Sequence, residues 1–163
     1  MRFALALFLA ATLTACANTD KKVEAGGPTP VEEVFYAEPD AVDRAISQVM
    51  VKYPQKIANL EAGVLETDYI KGDARFQPPH KTVTFGSGYR YRIFIRTVKG
   101  KTNGKPAIKV QVLKKVEQQR DFFADPEDLK SDLLEEKAIL YRIGREIKID
   151  KALNRLSQKA SAN

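Results

Sequence analysis

The stretch from Tyr89 to Glu117 constrains the fold more than any other part of the chain. Tyr89, Tyr91, Ile93 and Ile95 alternate with Arg90, Arg92 and Arg96, with Phe94 among the arginines. Side chains on a strand point alternately to opposite faces, so this spacing predicts a strand with one apolar and one cationic face. Lys99 to Lys105 is turn chemistry, with Asn103-Gly104 its sharpest signal. Ala107 to Glu117 then returns as a second strand, with Ile108, Val110 and Val112 on one face and Lys109, Gln111 and Lys115 on the other. A hairpin of this kind buries its apolar side only if a second layer packs over it.

Two helical patterns are available for that layer. Glu38-Pro39-Asp40 reads as a helix start, because proline suits the first helical position and acids suit the positive end of the helix dipole. From there Val42, Ala45, Ile46, Val49 and Met50 share one face, and Pro54 ends the helix. Asp125-Pro126-Glu127-Asp128 reads as the start of a long second helix running to about Ser157, with Leu129, Leu133, Leu140, Ile143 and Ile147 among its apolar positions. Between the first helix and the hairpin, Glu61-Ala62-Gly63 predicts a turn with a short strand on each side, and residues 71–87 predict a long loop. The expectation is an α+β domain of two layers: an antiparallel sheet of three to five strands packed by an N-terminal helix and a long C-terminal helix.

The length of 163 residues suits one such domain. Residues 31–157 are assigned to it, and the small, polar residues 158–163 to a frayed tail. The N-terminus is an address. Arg2 is followed by the apolar run Phe3 to Ala11, far shorter than the roughly 20 residues that span a bilayer, so residues 1–15 predict a signal peptide. Residues 16–30, rich in polar residues and carrying Gly26-Gly27-Pro28, predict a flexible tether.

Charge is segregated along the chain. Residues 88–117 carry nine lysines and arginines against the single acid Glu117, whereas residues 125–136 carry six acids against Lys130. One reading is a solvated sheet face followed by a well-capped helix. The other is a docking face for an acidic partner or an anionic lipid surface, carried by Arg90, Arg92, Arg96, Lys109 and Lys115. Export places nucleic acid out of reach of this face.

Little in the sequence points to catalysis. The one histidine, His80, lies in a proline-rich loop, and although Asp73 or Asp68 could pair with it, nothing in the spacing demands that. Glu66 and Asp68, two apart on an expected strand, would share a face, which suits solvation better than acid/base work. Gly86-Ser87-Gly88 precedes a strand rather than a helix, unlike a nucleophile elbow. No phosphate loop and no metal-ligand spacing is present, so a non-enzyme without metal or cofactor is expected.

Two resemblances sharpen this. Leu13-Thr14-Ala15-Cys16 resembles the bacterial lipobox, which implies that Cys16, the chain's one cysteine, is acylated and becomes the first residue of the mature protein. An ordinary secretory peptide would instead leave it a free thiol. Multiple acyl chains anchor stably where one does not. Ala17 stands where an aspartate would retain a lipoprotein at the inner membrane, so the resemblance implies an outer-membrane anchor with the domain facing the periplasm. The order helix, Tyr53-Pro54, Gly63-Val-Leu-Glu-Thr-Asp-Tyr69, Tyr-Arg-Tyr-Arg-Ile strand, basic strand and long helix resembles, over about residues 38–155, the helix-grip domain of BamC-type lipoproteins. Those carry two such domains and a long N-terminal clasp, and this chain has room for one domain. The resemblance implies a non-catalytic accessory subunit in outer-membrane β-barrel assembly, with an envelope-assembly protein as partner. The alternative is a lipoprotein that handles lipid or lipopolysaccharide.

Overall fold

The computed structural model describes residues 28–72, 88–120 and 123–161. Strand β1 (Val31–Phe35) leads into helix α1 (Pro39–Met50). Then come β2 (Gln55–Asn59), β3 (Val64–Thr67), β4 (Ile70–Lys71), the long hairpin β5 (Tyr89–Thr102) and β6 (Lys105–Gln118), the short β7 (Glu127–Leu129), and helix α2 (Leu134–Ser161). The seven strands form one antiparallel sheet in the order β1-β6-β5-β3-β2, with β4 on β5 and β7 on β6. The α+β class and the two-layer arrangement follow the sequence expectation. The strand number exceeds it, because β1, β4 and β7 are short segments that pair only with the hairpin.

The hairpin is the frame. Its ladder runs unbroken from Tyr89↔Gln118 to Thr102↔Lys105, leaving a two-residue turn. Asn103 and Gly104 both have positive φ, 51° and 74°, the conformation whose twist matches that of paired strands. The inward residues include those the alternation named, Ile93 and Ile95 on β5 and Ile108, Val110 and Val112 on β6, and the series continues to Val116. Val42, Ala45, Ile46, Val49 and Met50 of α1 and Ile139, Leu140, Ile143 and Ile147 of α2 close over them in one core. Where α2 crosses β1 the fit is tight: a Cβ at Gly144 would lie 3.2 Å from the Phe35 ring. Thr67 supports the β3–β5 junction from within, its buried hydroxyl accepting a hydrogen bond from the Ile93 amide at 2.9 Å.

The second helix begins later than Asp125-Pro126 predicts. Glu127–Leu129 instead extends the sheet, pairing with Val116–Gln118 at the end of β6. The helix start falls after a tight turn at Ser131-Asp132-Leu133. The Ser131 hydroxyl accepts from the Leu133 amide, the Asp132 carboxylate from the Leu134 amide, and Leu133 itself adopts φ 62°. A proline preceded by aspartate suits a turn before a strand as well as a first helical turn, so that signal was ambiguous. The helix also runs past Ser157, to Ser161.

Candidate functional site

Both helices pack on one side of the sheet, and among the described residues no element covers the other. Arg90, Arg92 and Arg96 of β5 and Lys109 and Lys115 of β6 all project from this open face, as the alternation predicts. Four of the five are held in place. Glu117, itself nearly buried, receives Arg90 at 2.9 Å, Arg92 at 3.7 Å and Lys115 at 3.8 Å, and accepts a hydrogen bond from the Tyr69 hydroxyl at 3.3 Å. Arg92 also bonds Glu66 at 2.9 Å, and Lys115 reaches Asp128 at 3.4 Å. The Tyr69 ring lies under both arginines, 4.1 Å from the Arg90 guanidinium carbon and 4.5 Å from that of Arg92, close enough for cation–π attraction. Lys109 meets Glu32 of β1 at 3.5 Å. A hydrogen bond from Gln111, then the Lys109 ammonium, hold the Glu32 carboxyl below its usual range.

Arg96 differs. It is exposed, and it forms no ion pair with any described residue. It lies opposite Val64 in the β3–β5 register and Gln111 in the β5–β6 register. Around it the open face carries Val64 and Val98, 40% and 45% exposed, and the half-buried Phe94.

The basic and acidic blocks of the sequence meet in space. Lys115 bonds Asp128, and Lys114, counted with the basic hairpin, is a core residue at 1% exposure. Its ammonium bonds Glu135 at 2.8 Å and lies 4.2 Å from the centre of the Tyr91 ring. The Tyr53 and Tyr91 hydroxyls both donate to the other Glu135 oxygen region, each to Oε1 at 3.2 Å. Next to it, fully buried Glu136 accepts from the Lys114 backbone amide at 3.3 Å, and its second oxygen has no partner among the described residues. Burial, then the Glu135 carboxylate, push the Tyr53 phenol up to about 12 against the opposing pull of Arg142, and raise Tyr91 further still. This cluster fastens the first turn of α2 to β5 and β6. The sequence reading passed over it, although position 114 continues the inward series 108, 110, 112, and Glu136 precedes Ile139, Leu140, Ile143 and Ile147 at helical spacing.

Glu66 and Asp68 do not form a pair. β3 ends at Thr67, Glu66 is engaged by Arg92 and Lys56, and the Asp68 carboxylate accepts the adjacent Tyr69 amide at 2.7 Å. Cys16, His80, Asp73 and Ser87, with the expected signal peptide and most of the expected tether and long loop, lie outside the described residues. Among the described residues no group of histidine, cysteine and acidic side chains is arranged to hold a metal, and no helix is long and apolar enough to cross a membrane. No protein-family model matches the chain, and no curated protein matches it.

Proposed function

We propose that the chain is a lipid-anchored envelope protein whose domain serves as a non-catalytic docking subunit, with outer-membrane β-barrel assembly as its setting. The observation that carries this reading is the open sheet face. An antiparallel sheet can leave one face to solvent without any functional reason. Here, however, the face combines ordered arginines, aromatic rings and an Arg96 that has no ion-pair partner among the described residues, set among exposed valines. Interface hot spots favour arginine and aromatic residues held in fixed positions, because little side-chain entropy remains to be lost on binding. The lipobox at Leu13–Cys16 and the resemblance to BamC-type domains supply the setting: Cys16 would hold the domain at the outer membrane, facing the periplasm.

The test is cross-linking of the native protein in cells, followed by envelope fractionation and mass spectrometry. Barrel-assembly components recovered with it from the outer-membrane fraction support the reading. Recovery of lipid alone, or of lipopolysaccharide-transport proteins, contradicts it. Replacing Cys16 with alanine should release the protein from the membrane fraction, and retention at high salt would remove the anchor from the account.

A further inference from the structure

Helix α2 changes character along its length. Its first half packs Ile139, Leu140, Ile143 and Ile147 on the sheet and on α1. Its second half touches almost nothing: Asp150 meets Arg44 at 3.5 Å, Lys151 donates to the Tyr36 carbonyl at 2.8 Å, and every residue from Lys151 to Ser161 is exposed. Yet this half is not uniformly polar. Ile149, Leu153 and Leu156 are exposed at 39%, 58% and 63%, and with Ala152 they form one stripe. At about 100° per residue, this stripe is turned on the order of 150° from the one that packs the core. It faces away from the domain and does not continue the buried seam.

Charge is ordered around the stripe. Arg145, Lys148, Arg155 and Lys159 run along one edge of it, and none has an ion-pair partner among the described residues. Glu146, Asp150, Asn154, Ser157 and Ser161 lie on the other side of the helix, toward the direction of the core face. No acid follows Asp150. Exposed Tyr141 lies on the cationic edge, one turn before Arg145. An apolar stripe edged by lysine and arginine, with polar residues behind that are neutral beyond Asp150, is the pattern of a helix that lies in the interface of a bilayer. Each cation near an anionic surface adds to the attraction, and the aliphatic residues supply shallow insertion.

We infer that the outward face of α2 from Arg145 to Lys159 docks on an anionic lipid bilayer. The helix would lie flat with Ala152 and Leu156 toward the lipid. The surface is separate from the open sheet face, and the inference stands whether or not Cys16 is acylated.

The test uses the full chain with Cys16→Ser and Ala152→Cys, labelled at position 152 with an environment-sensitive fluorophore. It is mixed with vesicles of phosphatidylglycerol and phosphatidylcholine, or of phosphatidylcholine alone. The neutral vesicles control for attachment through the apolar N-terminal run, which does not require an anionic lipid. The expected result is a blue-shifted label on anionic vesicles only, reversed at about 0.5 M salt, where exposed charges are screened. The triple substitution Lys148→Glu, Arg155→Glu, Lys159→Glu should raise the lipid concentration needed at least about tenfold, with helix content by circular dichroism unchanged. The pair Arg96→Glu, Lys109→Glu should leave the response intact. An equal response on neutral vesicles, no response on anionic ones, or indifference to the triple substitution would overturn the inference. So would a blue shift that grows with protein concentration without vesicles, which would assign the stripe to a second copy of the chain.

Discussion

Lys114 is where the domain spends charge in its core. A lone ammonium or carboxylate at that depth is strongly disfavoured, and the pair persists because Lys114, Tyr53 and Tyr91 together satisfy Glu135. Lys114→Met should therefore lower the unfolding free energy by about 3–5 kcal/mol in urea titrations, because Glu135 is left buried with two phenols alone. Lys114→Met with Glu135→Gln should recover much of that loss, and a double variant no better than the single one would mean the ammonium is not what matters there. The phenols carry a pH signature. Tyr53 titrates near 10 when unfolded and at about 12 when folded, so its protonated form belongs to the native state. Stability from this source is whole below pH 10 and is lost as pH rises through about 12. Unfolding midpoints measured from pH 8 to 12 should fall on the alkaline side, and less steeply in Tyr53→Phe. The cluster was legible in principle from its inward position on β6. It was missed because lysine and glutamate were read by their charge rather than by the face they occupy.

The hairpin and α1 were legible because local pattern and tertiary demand agree there. The alternation of β5 and β6 names the inward residues, Asn103-Gly104 fits its turn, and Pro39 opens a helix with one apolar face. β1 and β7 were not legible. Each is short, and each becomes a strand only because β6 offers it a free edge. The start of α2 failed for the same reason, with pairing to Val116–Gln118 overriding the helix signal at Pro126. Gly63 shows how an element junction is fixed. Its φ is 74°, its carbonyl accepts from the Thr97 amide at 2.8 Å, and a Cβ would lie 2.6 Å from the Thr97 carbonyl oxygen. Gly104 has the same φ with open space around it. Gly104→Ala should cost about 1–2 kcal/mol for the left-handed conformation alone. Gly63→Ala should cost clearly more, because backbone must also shift, and thermal unfolding of the two variants side by side checks the order.

At the scale of the whole molecule, the two helices cover one side of the sheet and, among the described residues, leave the other open. The charge contrast that dominates the sequence is largely spent within the fold: Lys114 on Glu135, Lys115 on Asp128, and Arg90 and Arg92 on Glu117. What remains for a partner is narrower than the sequence implied, namely Arg96 with Val64, Val98 and Phe94 around it. Exposed charges of this kind contribute little to stability. Arg96→Glu should therefore shift the unfolding midpoint by less than about 0.5 kcal/mol while weakening partner capture, most visibly at low salt. The direct measurement is photo-cross-linking in living cells, with the reactive group placed at Val98 on the open face or at Ser47 on the exposed side of α1. The account predicts a discrete protein adduct from position 98, reduced by Arg96→Glu, and none from position 47. Equal labelling from both positions, or no adduct from 98 while the protein is correctly folded and exported, would contradict it.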